Sequence, residues 1–306
     1  MQYSVVFFGT HEFATTVLAG ILANNQFVVS TVITQPDRPV GRKKIMTAPP
    51  VKVLAESQAI PYLQPESLKN FVLPSVPRPD FVIVAQYGNL IPPAILAWPK
   101  YGTLNTHTSL LPKYRGASPV QAALLNGDTE TGITIMLLDE GMDTGPIVLQ
   151  EKIRISPDDK YPEVEKNLAT IAVLTLIKAI EGLYAGNLKP QPQNNSLAST
   201  CGKLDRDNGR VDWQKSALEI YNLFRALYPW PGVWTMWENK RLKLLEIKPA
   251  TETILPGKVE IISGRLLIGC GNGSIEINTL QLEGKSAVTA KEFIVGYKHI
   301  DQSFLA

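Results

Sequence analysis

Short apolar runs separated by helical patterns constrain this chain more than any other feature. Residues 5–8 are Val-Val-Phe-Phe and end on Gly9, which reads as a buried strand followed by a tight turn. Residues 12–23 then place Phe13, Val17, Leu18, Ile21 and Leu22 at helical spacing. Residues 27–33 are rich in β-branched side chains and read as a second strand. A short helix over 51–58, with Pro50 near its first turn, precedes apolar runs at 81–85 and 102–107. Strand, helix, strand in this order predicts an α/β unit on a parallel sheet with helices on both faces. Ligands of such sheets bind beyond the carboxyl ends of the strands.

Further runs follow at 133–138 and 147–155, then a helix over 163–184 preceded by Pro162. The next stretch holds Pro190, Gln191, Pro192, Gln193, Asn194 and Asn195 and is nearly devoid of apolar residues, so a linker is expected at 190–205. Beyond a helix over 216–227 the character changes. Segments at 233–237, 240–248, 258–262, 266–268 and 274–282 are short and often alternating, with Pro256-Gly257 and Ser263-Gly264 between them. That spacing predicts a small β-barrel or sandwich. A length of 306 residues suits two domains, here 1–189 and 206–306.

Composition excludes several classes. A formal charge of +2 is no general polyanion signal, so any nucleic-acid contact must come from local patches. The two cysteines, Cys201 and Cys270, rule out a disulfide framework and have no metal-ligand spacing, so no metal is expected. The N-terminus lacks a basic region followed by an apolar stretch, and no uncharged apolar run reaches about 18 residues. A cytoplasmic chain with no membrane partner is expected. Gly9 is followed by Thr10-His11-Glu12 and opens no GxGxxG, so a dinucleotide site is not supported.

Asn105 and His107 are two apart at the end of a predicted strand, and side chains so spaced share a face. Further on, Leu138-Asp139-Glu140-Gly141-Met142-Asp143-Thr144-Gly145 is an acid-rich loop whose Asp143 is placed to return to His107. A carboxamide, an imidazole and a carboxylate suit acyl transfer to an amine. The amine is the nucleophile, so no Ser or Cys nucleophile is needed. What is needed is a donor to the developing oxyanion and a route for the ammonium proton. Spacing alone leaves a structural histidine and a plain turn aspartate open as readings.

The segment Asn105-Thr106-His107-Thr108-Ser109-Leu110-Leu111-Pro112-Lys113-Tyr114-Arg115-Gly116 resembles the signature of the folate-dependent formyltransferases. So do Asp139-Glu140-Gly141-Met142-Asp143-Thr144-Gly145, the opening Phe8-Gly9-Thr10-His11-Glu12-Phe13-Ala14, the loop Gln35-Pro36-Asp37-Arg38-Pro39-Val40-Gly41-Arg42, and Leu227-Tyr228-Pro229-Trp230-Pro231-Gly232. The resemblance implies a Rossmann-like parallel-sheet formyltransferase domain followed by a smaller OB-like β-barrel domain that binds tRNA. It implies catalytic roles for Asn105, His107 and Asp143, and folate contacts for Ser109, Leu110, Leu111 and Pro112. The implied donor is 10-formyltetrahydrofolate, and the implied acceptor is the amino group of methionine on initiator tRNA, with a nucleotide sugar or other small amine as the alternative. The chain is expected to act as a monomer. The opening motif departs from the family in having His11-Glu12 where Pro-Asp is usual, a change expected to alter only the local turn.

Arg38, Arg42, Lys43 and Lys44 share one loop with a single acid, Asp37. Such a run is ordinarily a solvated loop. Its position after the second strand puts it on the ligand side of the sheet, and with the resemblance it reads as a tRNA-contacting loop. His11, His299 and the tryptophans Trp213, Trp230, Trp234 and Trp237 are expected to be structural.

Overall fold

In the computed structural model, which describes residues 2–41, 43–69 and 71–306, the apolar runs form one sheet. Its strands are β1 (Tyr3–Gly9), β2 (Phe27–Ile33), β3 (Tyr62–Leu63), β4 (Phe81–Ala85), β5 (Thr103–His107), β6 (Glu130–Leu137) and β7 (Ile147–Arg154), in the order β7-β6-β5-β4-β1-β2-β3. Strands β1 to β5 pair in parallel. Strand β6 runs antiparallel to both β5 and β7, which adds one reversed strand to the expected parallel sheet. The chain leaves the carboxyl end of β5 and enters β6 opposite that same end, with His107 facing Thr134, so β6 runs back.

The chain divides into two units, one of Met1–Pro119, Glu130–Arg154 and Glu165–Gly202, the other of Val120–Thr129, Ile155–Val164 and Lys203–Ala306. In the first unit, β1 and β4 are covered on both faces, which is why they read as continuous apolar runs. Val6, Phe8, Val82 and Val84 pack with Ile33, Leu68, Tyr87 and Ile95. Helix Glu12–Leu22 buries Phe13, Ala14, Val17, Leu18 and Ile21, each large side chain contributing about 1.5–3 kcal/mol. His11 is its N-cap residue without a side-chain cap, so the His11-Glu12 departure falls at the start of this helix. Helix Tyr161–Tyr184 is long and apolar enough by composition to cross a membrane, yet Leu168, Ala172, Leu176, Ala179 and Ile180 form a buried stripe along it.

Two ties set the strand ends. Asp80 accepts from the Ser4 amide at 2.8 Å and from Lys100 Nζ at 2.9 Å, fixing the start of β4 against β1. Burial opposes ionisation there, but the bonds from Lys100 and Ser4 outweigh it and hold the Asp80 carboxyl below its usual range. At the carboxyl ends, Thr10 Oγ1 and Gln35 Nε2 both donate to the Tyr87 carbonyl, at 3.1 and 3.2 Å. This is where the strand order reverses direction, between β1 and β4.

In the second unit, helix Ala217–Leu227 begins with a capping box between Ser216 and Glu219. The antiparallel sheet is built of β8 (Val233–Trp237), β9 (Lys240–Ala250), β10 (Val259–Ile262), β11 (Arg265–Gly269), β12 (Ser274–Leu282) and β13 (Val288–Thr289). Its order is β8-β9-β12-β11-β10, with β13 on β12. Residues 302–306 close the path: Val259 exchanges backbone bonds with Gln302 and Ser303, and Met236 exchanges two with Ala306. These bonds cover parts of the outer edges of β8 and β10. Trp213, Trp234 and Trp237 are buried in this unit as expected. Trp230 is not; it is 61% exposed.

Candidate active site

Alternation along β5 sends Asn105 and His107 to the same side, and both meet the loop that follows β6. His107 is buried, so its ring nitrogens must find partners. Nε2 donates to the Tyr114 carbonyl at 2.9 Å, and Nδ1 lies 3.6 Å from Asp143 Oδ2. A carbonyl only accepts, so Nε2 keeps its hydrogen, and Nδ1 is the nitrogen that faces the carboxylate. Asn105 Nδ2 lies 3.5 Å from the other Asp143 oxygen, a long contact that leaves the amide able to donate elsewhere. Asp143 Oδ2 also accepts from the Gly116 amide at 2.8 Å.

Asp143 has a φ of 53°, and its loop is braced from within. Asp139 Oδ1 accepts from the Gly141 amide and from Thr144 Oγ1 at 2.7 Å. The loop after β5 is braced from beneath. Thr134 Oγ1 donates to the Ser109 carbonyl at 2.6 Å and accepts from the Leu111 amide and from Gln150 Nε2. Ser109 Oγ donates to the Lys113 carbonyl. Of the four positions implied to touch folate, Ser109 and Leu111 are thus buried within this loop, while Leu110 and Pro112 are half-buried.

The stretch read from sequence as the start of a linker lies over the site loop. Ser199 accepts from the Tyr114 amide through Oγ and from the Arg115 amide through its carbonyl, at 2.9 and 2.8 Å. Thr200–Cys201 pairs in parallel with Arg115–Gly116. Gly116 has a φ of 121°, and a Cβ there would collide with the Cys201 carbonyl, so the close approach requires glycine. Burial pushes the Cys201 thiol up. Gln193 Nε2 donates to the Asp143 and Gly145 carbonyls, while its Oε1 accepts from Arg115. Proline- and asparagine-rich composition signals irregular backbone; it does not reveal that polar side chains there are hydrogen-bonded to a site.

A cavity of about 480 Å³ is lined by Glu66, Asn89, Leu90, Ile91, Pro92 and Glu140 among others. None of residues 109–112 lines it. Residues 89–92 follow the carboxyl end of β4, the place the parallel-sheet rule indicates, though no motif in the sequence reading singled them out. Among the described residues no three His, Cys, Asp or Glu side chains come together as metal ligands.

The basic loop is a hairpin, Arg38–Val40 against Ile45–Thr47. Its base is anchored by Asp37, which accepts from Lys52 at 2.8 Å and from Gln64 at 2.7 Å, and those bonds hold its carboxyl below the usual range. Arg38 pairs with Glu66 at 2.9 Å, both exposed. Lys43 and Lys44 are exposed, as are Val40, Ile45 and Met46. Arg42 lies outside the described residues. Arg38, Lys43 and Lys44 make no hydrogen bond or ion pair with Asn105, His107 or Asp143.

Comparison with known proteins places this site in context. Residues 2–180 match the family model described as formyl transferase, and residues 203–298 match that of the formyl transferase C-terminal domain. A methionyl-tRNA formyltransferase of Thermodesulfovibrio yellowstonii is 39% identical over 302 residues, 97% of this chain and 97% of that protein. One from Dehalococcoides mccartyi is 42% identical over 309 residues, 98% and 97% of the two chains. Among solved structures, an N-formyltransferase from Helicobacter canadensis in complex with folinic acid and dTDP-3-aminofucose superposes with a TM-score of 0.67 at 20% identity, covering 90% of this chain and 99% of that one. A methionyl-tRNA formyltransferase from Clostridium thermocellum gives 0.56 at 18% identity, covering 80% and 93%. At these identities the superpositions speak to fold alone.

Proposed function

The chain belongs to the formyl transferase family, and from that premise we propose that it moves a formyl group from 10-formyltetrahydrofolate to the amino group of methionine on initiator tRNA. The observation that carries the site reading is the convergence of Asn105 and His107, from the end of β5, with Asp143, from the loop after β6. The methionyl amine attacks the formyl carbon, and the carbonyl oxygen becomes an oxyanion. Asn105 Nδ2 donates to that oxyanion. The new C–N bond forms as the amine becomes an ammonium, which then gives up a proton, and the bond from carbon to the folate nitrogen breaks as that nitrogen gains one. His107 Nδ1 handles the proton, with Asp143 holding the ring and balancing its positive charge.

The cavity bounded by Leu90, Ile91, Pro92 and Glu140 fits the donor, with apolar walls for a flat heterocycle and a carboxylate to accept from its N–H groups. Glu140 is three residues from Asp143 in the same loop, which supports donor recognition next to the chemistry, although Asn105, His107 and Asp143 do not themselves line the cavity. Residues 109–112, on the loop that follows His107, complete the folate contacts. Arg38, Arg42, Lys43 and Lys44 take the tRNA phosphates. We assign 1–189 as the catalytic domain and 206–306 as a tRNA-binding β-barrel domain, with the connecting residues 190–205 bonded to the site loops through Gln193, Ser199 and Thr200–Cys201, in a monomeric cytoplasmic enzyme. The test is labelled formyl transfer to charged initiator tRNA and, separately, to an amino-sugar nucleotide. Labelled formyl-methionyl-tRNA is expected; label on the sugar alone would overturn the acceptor assignment.

A further inference from the structure

His107 has two ring partners, and each belongs to a different loop. Asp143 faces Nδ1 from the loop after β6, and the Tyr114 carbonyl accepts from Nε2 in the loop after β5. One side chain spans both loops. Gln193 Nε2 donates to the carbonyl of Asp143 itself at 2.9 Å and to that of Gly145 at 2.8 Å. Its Oε1 accepts from Arg115 Nε and Nη2 at 3.0 and 2.7 Å, one residue beyond Tyr114. All four bonds are made by a single amide. The Arg115 guanidinium is further tied to Asn195 Oδ1 at 2.8 Å, so the amide is itself held in place.

We propose that Gln193 is a positioning residue for formyl transfer, holding the Asp143 carboxylate and the Tyr114 carbonyl at the separation His107 requires. Asp143 needs such support. It is a non-glycine residue at a φ of 53°, a conformation that persists only where neighbours over-determine it. The two N–H bonds fix the carbonyls on either side of Thr144, and with them the direction in which the Asp143 side chain leaves the backbone. The bonds to Arg115 fix the second loop relative to the first. Neither role requires Gln193 to touch substrate, so its loss acts on turnover and leaves binding.

This inference rests on the catalytic reading of His107 and Asp143, and the experiment separates the two. Gln193→Met removes all four bonds at similar volume. Gln193→Glu keeps the acceptor for Arg115 but loses both donors and faces two carbonyls with a carboxylate. Turnover and KM are measured with 10-formyltetrahydrofolate and methionyl-tRNA, and the side-chain ¹⁵N signals of the 3 histidines are recorded on the same full-length proteins. Both variants are expected to lose about 100-fold in kcat, as a misplacement of order 1 Å can, with KM values changed less than about threefold. The His107 signals alone are expected to move. A variant that keeps its thermal midpoint, its kcat and its His107 signals overturns the proposal, as does a rise in KM at constant kcat. If Gln193→Met does not fold, Gln193→Glu carries the same test. An unlabelled tRNA with the wild type would overturn the functional reading, while the His107 signals would still report on Gln193.

Discussion

His107 and Tyr114 are joined by a 2.9 Å hydrogen bond from the imidazole Nε2 to the main-chain carbonyl. That bond occupies one nitrogen at the edge of the ring with a group that only accepts. Proton handling is thereby confined to Nδ1, on the side of Asp143. The tautomer is set by the loop that follows β5, seven residues along the chain from His107.

Asp143→Asn should therefore lower kcat sharply. The amide still fills the space and can accept from Gly116, but the anion opposite Nδ1 is gone. A loss of roughly 100-fold or more is expected from the acid–base role, with donor KM little changed. Steady-state kinetics with methionyl-tRNA check it.

Gly116→Ala should damage fold and function together. The residue sits at a φ of 121°, and its Cβ would meet the Cys201 carbonyl. Backbone strain costs about 1–3 kcal/mol before any loss of the pairing with Thr200–Cys201 is counted. Urea unfolding should show the lower stability, and transfer assays a lower rate at temperatures where the variant remains folded.

The exposed lysines of the hairpin should act through phosphate. The double substitution Lys43→Ala with Lys44→Ala is expected to weaken tRNA binding and to reduce the slope of log Kd against log salt by about one per lost contact. Arg38→Ala should have a smaller effect, because its guanidinium is already paired with Glu66. Filter binding at several salt concentrations measures both slopes.

Asp80 should make the stability of the first unit depend on acid pH. Its carboxyl is held below the usual range in the folded chain, so its contribution is fully present above the unfolded value near ~3.9 and is lost as pH falls below it. Asp80→Asn is expected to cost about 1–2 kcal/mol at pH 7 through weakened bonds to Ser4 and Lys100, and less as the pH drops below about 4. Thermal midpoints of both proteins across pH 3–7 reveal whether the gap narrows.

Periodicity made much of this fold legible. Val5, Val6, Phe7 and Phe8 are buried on both faces of β1, so their unbroken run was a faithful sign of a central strand. The antiparallel turn of β6 was not legible, because periodicity says nothing of direction. In the site, the two-residue spacing of Asn105 and His107 announced a shared face, and the family motif supplied Asp143. What escaped was carried by the backbone: the Tyr114 carbonyl, the Gly116 amide and the Ser199 carbonyl have no side-chain signature. Gln193 escaped because it lies in a stretch whose prolines and amides read as a linker. Trp230 misled in the opposite sense, since aromatic bulk suggests burial and the structure leaves it exposed.

The central claim is that Asn105, His107 and Asp143 act together on a formyl group in transit to methionyl-tRNA. Single-turnover transfer of labelled formyl from 10-formyltetrahydrofolate, at saturating enzyme and donor, tests it most directly in Asn105→Ala beside the wild type. The rate should fall by roughly 100–1000-fold, as loss of one oxyanion donor does, while the final amount of formyl-methionyl-tRNA is unchanged. A single-turnover rate within about twofold of wild type would contradict the account.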